Sequence, residues 1–157
     1  MTTKIILIVC GVLAGLVAGC TVDPHVPPEQ QYFAPVPGTG TATLIGSEVP
    51  SALTHNQTAF IFSVDGKQVM AGKKAWNVPL VLAAGPRVID VQMVRGDFVS
   101  RSYLELEAVA GASYILRFSS DVGLVGNNTY CDFWIVDAAT SKPVTSRQRG
   151  SIEGGGR

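Results

Sequence analysis

The amino-acid sequence predicts an all-β fold, an antiparallel sandwich of about seven to nine short strands. Short runs of β-branched and aromatic residues fill residues 41–146, and turn residues separate these runs at intervals of about 8 to 12 positions. The run at residues 87–94 alternates between apolar and polar side chains, as expected for a half-buried strand. No stretch with a helical period exceeds about two turns after residue 20.

The strands are predicted one by one from these runs. They are residues 41–45, 58–64, 67–70, 76–82, 87–94, 98–107, 113–119 and 130–136, with a short last strand near 143–145. Asp65-Gly66 and Arg95-Gly96-Asp97 have the composition of hairpin turns, which explains the latter tripeptide without an adhesion role. Alternation places a set of side chains in the core: Ile89, Val91, Met93, Leu104, Leu106, Tyr114, Leu116 and Phe118. The polar positions of the same strands include Asp90, Gln92 and Arg117.

Length and composition limit the class of protein. The 157 residues are 46% hydrophobic and 15% charged, with a formal net charge of zero, and their number is typical of one domain. Six Phe, four Tyr and two Trp exclude a wholly disordered chain, and 17 Gly with 9 Pro weigh against a helical bundle. Because there is no basic excess, we expect no nucleic-acid partner.

Residues 1–19 are predicted to be a signal peptide. Lys4 precedes an apolar run from Ile5 to Ala18, and this run is shorter than the roughly 20 residues that a spanning helix needs. A permanent transmembrane helix is therefore the weaker alternative.

The end of this segment, Val17-Ala18-Gly19-Cys20, resembles the lipobox of bacterial lipoproteins. The resemblance implies that Cys20 carries diacylglycerol, that the signal is cut before it, and that the new N-terminus is acylated, as by palmitate. Two or three long chains would anchor the protein to a membrane almost permanently. Thr21 occupies the place where an Asp would retain a lipoprotein at the inner membrane, so the outer membrane is favoured. The alternative is an ordinary secretory signal followed by a chance cysteine.

The segments that flank the predicted sandwich are polar. Residues 20–40 contain five of the nine prolines and are predicted to be a tether that reaches up to roughly 60 Å, or merely a leader that clears the bilayer. The two aromatic residues of residues 20–40, Tyr32 and Phe33, could pack against the domain. Residues 147–157 are predicted to be a polar, flexible tail.

The order of motifs within residues 58–146 adds a second resemblance. Val64-Asp65-Gly66-Lys67, Gly85-Pro86-Arg87-Val88 and Trp134-Ile135-Val136-Asp137 follow one another as in bacterial lipoproteins with a PEGA-like or transthyretin-like sandwich. Arg87 stands where that family usually has His. The resemblance implies an Ig-like or PEGA-like fold and a location in the cell envelope, but no particular activity.

The sequence offers little for catalysis. Beyond the signal, Cys131 is the one cysteine besides Cys20, and it lies on the apolar face of its strand. His25 and His55 have no Cys or carboxylate at ligand spacing, so neither a metal site nor a cofactor is predicted. Glu105 and Glu107 alternate with leucines, which favours a solvated face over a glycosidase pair.

We therefore predict a non-catalytic interaction module rather than an enzyme, anchored to the membrane through Cys20. Its partner would be an envelope protein or a glycan. The candidate binding surface comprises Lys73, Lys74, Trp76 and Tyr103, although a solvated hairpin tip would also explain the two lysines. A structural or stress-related envelope component and, third, a hydrolase remain as alternatives.

Overall fold

The computed structural model describes residues 26–122 and 129–153 and confirms an all-β sandwich of two sheets. The predicted signal peptide, Cys20 and the first part of the predicted tether lie outside the described residues, as do residues 123–128 and 154–157. Residues 26–122 and 129–153 contain no membrane-spanning helix.

Eleven strands and two short 3-10 helices make up the described fold. The strands are β1 (Thr41–Ile45), β2 (Ser47–Val49), β3 (Gln57–Val64), β4 (Lys67–Gln68), β5 (Leu80–Ala83), β6 (Gly85–Arg95), β7 (Phe98–Ala108), β8 (Ser113–Ser120), β9 (Cys131–Asp137), β10 (Gln148–Arg149) and β11 (Ser151–Glu153). The 3-10 helices are η1 (Pro28–Gln30) and η2 (Gly72–Ala75). Seven strands have four residues or more, and these correspond to the runs that predicted the sandwich.

The strands form two sheets. Sheet A has the order β11-β7-β6-β3-β2, with β4 also paired to β3, and sheet B has the order β10-β9-β8-β1-β5. All neighbours are antiparallel except β1 and β8, which run parallel from the pair Thr43 and Ser113. The sequence predicted only antiparallel strands. The parallel pair arises because β8 is not a hairpin partner of β1: the chain reaches it from sheet A.

Turn chemistry sets the registers of the two hairpins in sheet A. Asp65 and Gly66 both have positive φ, at 51° and 77°, as a two-residue type I′ turn requires, and they join β3 to β4. Gly96, with φ of 55°, begins the two-residue turn between the 11-residue strands β6 and β7. Because glycine has no Cβ, this backbone conformation costs it little.

The core lies between the sheets and confirms the predicted register. Its largest fully buried side chains include Ile89, Val91, Met93, Leu104, Leu106 and Leu116. Arg117, on the opposite side of β8, is exposed, whereas Phe118 is only partly buried at the margin. Cys131 is fully buried, as expected of a small apolar residue.

Three local predictions were wrong. Residues 76–79 form a loop after η2 rather than a strand, because Trp76 and Val78 continue its turns with hydrogen bonds to Lys73 and Ala75. Strand β4 ends at Gln68, two residues earlier than predicted. Near residues 143–145, the structure has an isolated bridge between Val136 and Pro143 instead of a strand.

The polar segments are more ordered than predicted. In the expected tether, Gln31 bridges to Gln68 of β4, and the Tyr32 hydroxyl donates a 2.8 Å hydrogen bond to the Val81 carbonyl, while Phe33 stays exposed. In the expected flexible tail, residues 148–153 form β10 and β11, which extend sheet B and sheet A respectively.

Gly150 connects β10 to β11 and is packed too closely for a side chain. A Cβ at this position would lie 2.8 Å from the Arg101 carbonyl oxygen and 2.8 Å from the Phe133 ring, and it would collide with the Ser100 hydroxyl. The Gly150 amide also donates a 2.8 Å hydrogen bond to the Cys131 carbonyl. The last two strands therefore depend on a glycine here.

Gly150→Ala should lower the free energy of unfolding by about 1–3 kcal/mol, the usual cost of overpacking a close-packed site. Gly40→Ala is the matched control, since a Cβ at Gly40 meets no atom within 4 Å. Urea denaturation of both variants measures the difference. Equal effects of the two substitutions would contradict the close packing at Gly150.

Candidate functional site

A half-open apolar cavity lies where the loop between β4 and β5 crosses the edge of β3. Its volume is ≈ 80 Å³, and its lining includes Phe60, Val69, Trp76, Val78 and Leu80. A buried apolar cavity of about 150 Å³ takes up benzene. The smaller cavity here suits an aliphatic group of a few carbon atoms.

Backbone contacts hold the cavity loop, residues 69–79, in place. The Val69 amide donates a 2.8 Å hydrogen bond to the Phe62 carbonyl of β3, and the Gly46 amide donates a 2.6 Å hydrogen bond to the Trp76 carbonyl. A Cβ on Gly46 would lie 2.8 Å from that Trp76 oxygen and would collide with the carbonyl of Ala59. Glycine at position 46 therefore allows the loop, β1 and β3 to meet.

Cationic and apolar side chains adjoin the cavity lining in the chain, since Lys73 and Lys74 lie between the lining residues Gly72 and Ala75. Lys73 and Lys74 lie exposed on η2, and neither has an ion-pair partner among the residues that the structure describes. Met70 and Val78 flank η2 in the chain and expose 53% and 57% of their surface. Exposed large apolar residues beside a cavity are typical of binding surfaces.

Of the four residues of the predicted binding surface, Trp76 lines the cavity, and Lys73 and Lys74 are its near neighbours in the chain. Lys73, Lys74 and Trp76 share the cavity loop. Tyr103 is exposed, but it lies on β7, and β6 separates β7 from the strand on which the loop packs. Phe60 and Leu80 were not predicted, because they come from two strands and only the fold places them beside Trp76.

The outer face of sheet A carries a polar cluster close to Tyr103. Arg101 lies 4.3 Å above the Phe62 ring, and its guanidinium donates hydrogen bonds to the Gln92 amide oxygen in the orientation that the network requires. Asp90 is buried, and its Oδ1 atom has no hydrogen-bond partner in the described chain. Burial raises the pKa of Asp90, although the charge of Arg101 opposes the shift.

Asp90 and Gln92 were predicted on a polar strand face, and the structure shows both of them buried. The strand register changes between Ile61 and Ser63, so that Phe62 forms a bulge in β3. The Phe62 ring and the Arg101 side chain pack over the outer face of sheet A. They partly cover this face, which the sequence predicted to be solvated.

Among the described residues, the reactive side chains Cys131 and His55 lie in different surroundings. Burial raises the pKa of Cys131 to about 12, so its thiol is protonated at neutral pH and is a poor nucleophile. The ring of His55 lies beside the turn at Gly96. Across residues 26–122 and 129–153, no group of three His, Cys, Asp or Glu side chains is arranged to hold a metal ion.

The outer face of sheet B holds a second surface, which we name the arginine face: Arg117, Arg147, Arg149, Trp134 and Tyr130. Arg147 lies 4.0 Å above the Trp134 ring, and Arg149 lies 5.1 Å above the Tyr130 ring. Arg117 is the cross-strand partner of Trp134. Sequence analysis missed this surface because it assigned Arg147 and Arg149 to a tail.

Comparisons with protein-family models, curated proteins and solved structures find no significant match to this chain. The candidate sites therefore rest on their own geometry.

The raised pKa of Asp90 predicts a pH dependence of stability. Between the unfolded pKa near 3.8 and the higher folded pKa, the folded protein binds more protons than the unfolded chain, so stability falls as pH rises. Asp90→Asn removes the ionisable carboxyl group and therefore removes this loss of stability. In urea denaturation, the variant should therefore gain stability relative to the unsubstituted protein between pH 3 and pH 7.

Asp137→Asn is a control of opposite sign. Hydrogen bonds from Thr140 and Ala139 lower the pKa of Asp137, so this carboxylate stabilises the fold above its unfolded pKa, and that stability is lost as pH falls. Asp137→Asn should lower the free energy of unfolding more at pH 7 than at pH 2. The same sign for both variants would contradict the assigned environments.

Proposed function

We propose that this protein is a membrane-anchored lipoprotein of the bacterial cell envelope that acts as a non-catalytic interaction module. The observation that carries the binding role is the half-open apolar cavity beside Trp76, together with the exposed Lys73 and Lys74, which lie in the chain between the lining residues Gly72 and Ala75. An apolar hollow favours an aliphatic side chain, and exposed ammonium groups favour nearby carboxylates. These features favour a protein partner with an aliphatic residue next to Asp or Glu.

The anchoring role rests on the sequence of residues 1–20. The lipobox resemblance of Val17-Ala18-Gly19-Cys20 supports a lipid on Cys20, and Thr21 supports the outer membrane. Because the chain is already paired with β4 at Gln31, the spacer from Cys20 to the domain is limited to about 11 residues. At about 3.1 Å per residue, its reach is at most roughly 35 Å, rather than the 60 Å expected from the sequence.

The location of the cavity fits an anchored protein. Gln68 and Val81, which hold Gln31 and Tyr32, are the chain neighbours of Val69 and Leu80 in the cavity lining. The partner would therefore bind next to the point at which the tether reaches the domain. This geometry suits a partner that is itself held close to the membrane.

Lipidation predicts a defined mass. The mature protein should be heavier than residues 20–157 by two or three acyl chains, and Cys20→Ala should abolish this modification. Cys10→Ala is the control, because Cys10 would leave with the signal and its replacement should not change the mature mass. Intact mass spectrometry of the membrane fraction measures all three proteins. An unmodified mature mass would exclude the lipid anchor.

The cavity predicts that filling it weakens partner binding. Ala75→Leu adds an aliphatic group to a residue in the lining, and Ala110→Leu adds the same group to the exposed turn between β7 and β8. With a photoreactive amino acid at Val78, crosslinking in the native envelope should identify one partner by mass. We expect Ala75→Leu to reduce that crosslink about tenfold or more without lowering the melting temperature.

Two further variants separate this site from the rest of the surface. Charge reversal at Lys73 and Lys74 should also weaken the crosslink, whereas Ala110→Leu and Tyr103→Ala should leave it unchanged. Equal crosslinking with an open and a filled cavity would contradict a binding role for the cavity.

A further inference from the structure

The outer faces of the two sheets carry clusters of opposite charge, although Arg101 also lies on the outer face of sheet A. On sheet B, the arginine face presents three guanidinium groups, and Asp132 pairs with Arg149 at 2.8 Å. Arg117 and Arg147 are exposed and have no ion-pair partner in the described part of the chain. Aromatic rings below Arg147 and Arg149 support their guanidinium groups on this face.

The outer face of sheet A carries acidic side chains that complement the arginine face. Tyr103, Glu105 and Glu107 alternate along β7 with buried leucines, so all three project outward and are exposed. Val88, the cross-strand partner of Glu105, is also exposed. We name these four residues the acidic face. Neither glutamate has an ion-pair partner among the described residues.

We propose that copies of this protein associate head to tail, with the acidic face of one copy on the arginine face of the next. Arginine and carboxylate groups form bidentate, charge-assisted hydrogen bonds. Tyr103 and Trp134 supply the aromatic surface that protein interfaces favour. With Lys4 removed in the signal, 11 basic and 12 acidic residues leave a formal net charge of −1, which gives little long-range repulsion between copies. Because the two faces lie on opposite sides of the sandwich, the contact can repeat and build an open row.

The composition of the arginine face favours a protein surface over a lipid surface. With Asp132 subtracted, three arginines leave two net positive charges, whereas segments that bind anionic membranes usually cluster about four to eight cations. All three cations are arginines, which protein interfaces enrich, and none is a lysine, which they deplete.

The association is expected to be weak in dilute solution. Exposed ion pairs each contribute little free energy, and salt screens them. Copies that share a membrane surface have a higher effective concentration, so the row would form there. The inference rests in this respect on the proposed lipid anchor.

Disulfide crosslinking in native membranes tests the contact. Val88→Cys labels the acidic face, and Ser119→Cys labels the arginine face, since Ser119 pairs with Asp132 and neighbours Arg117 on the same side of β8. The two positions lie on opposite outer faces of sheets that stack about 10 Å apart, which is too far for a disulfide within one copy. A bond between them therefore reports on two copies.

After mild oxidation, the double-cysteine variant should give a ladder of dimers and larger species. Each single-cysteine variant should give only the background of the unsubstituted chain, which contains Cys20 and Cys131. Dimers from one single-cysteine variant would indicate contact between like faces and would overturn the head-to-tail arrangement. The absence of a ladder would overturn it as well.

Charge reversal identifies the forces involved. Added to the double-cysteine variant, either Glu105→Lys with Glu107→Lys or Arg117→Glu with Arg147→Glu should reduce the ladder at least fivefold. Coexpression of a Val88→Cys chain with the first pair and a Ser119→Cys chain with the second should restore a crosslinked dimer. A ladder that ignores charge reversal, or a failure of this restoration, would contradict the proposed complementarity.

The outcome is separable from that of the proposed function. Ala75→Leu fills the cavity and should leave the ladder unchanged. If the mature mass shows the acyl chains and no ladder forms, the contact between copies fails alone. If the ladder forms and the mass shows no lipid, the anchor fails alone.

Discussion

The constraint on which the described fold most depends is the close approach of backbone at two glycines. Gly46 carries the chain from β1 in sheet B to β2 in sheet A, and Gly150 carries it from β10 in sheet B to β11 in sheet A. At both positions a Cβ would overlap neighbouring backbone or side-chain atoms. At each crossing, one continuous chain contributes a strand to sheet B and the next strand to sheet A. Gly46 also holds the cavity loop, because its amide donates a hydrogen bond to the Trp76 carbonyl.

The sequence was informative wherever one local pattern was sufficient to determine the structure. Ile89, Val91 and Met93 face a single core, so their alternation predicted both the strand and its buried side. Asp65-Gly66 predicted a hairpin because few other residues accept its backbone angles. The parallel contact of β1 with β8 lacks such a signal, since it joins strands that are about 70 residues apart in the chain.

The candidate sites show the same division between local and long-range information. The basic and aromatic composition around Trp76 was visible, but the cavity needs Phe60 and Leu80, which only the sheet arrangement brings near. Likewise, the polar alternation of β6 predicted a solvated Asp90. In the structure, the Phe62 bulge of β3 and Arg101 of β7 cover this part of sheet A. Burial of a polar strand face depends on what packs over it, which alternation alone does not reveal.

The three proposed contact surfaces, which are the cavity, the acidic face and the arginine face, use separate parts of the domain. The tether reaches the domain at β4 and β5, beside the cavity, so anchor and cavity share one side of the molecule. The acidic face lies on β6 and β7, and the arginine face lies on β8 to β10 with the residues that precede β9 and β10. The cavity lining shares no residue with the acidic face or the arginine face, so both faces stay available after the cavity is filled. An anchored row of such domains would therefore present one open cavity per copy, and each copy would add binding capacity without competing for the contacts that hold the row together.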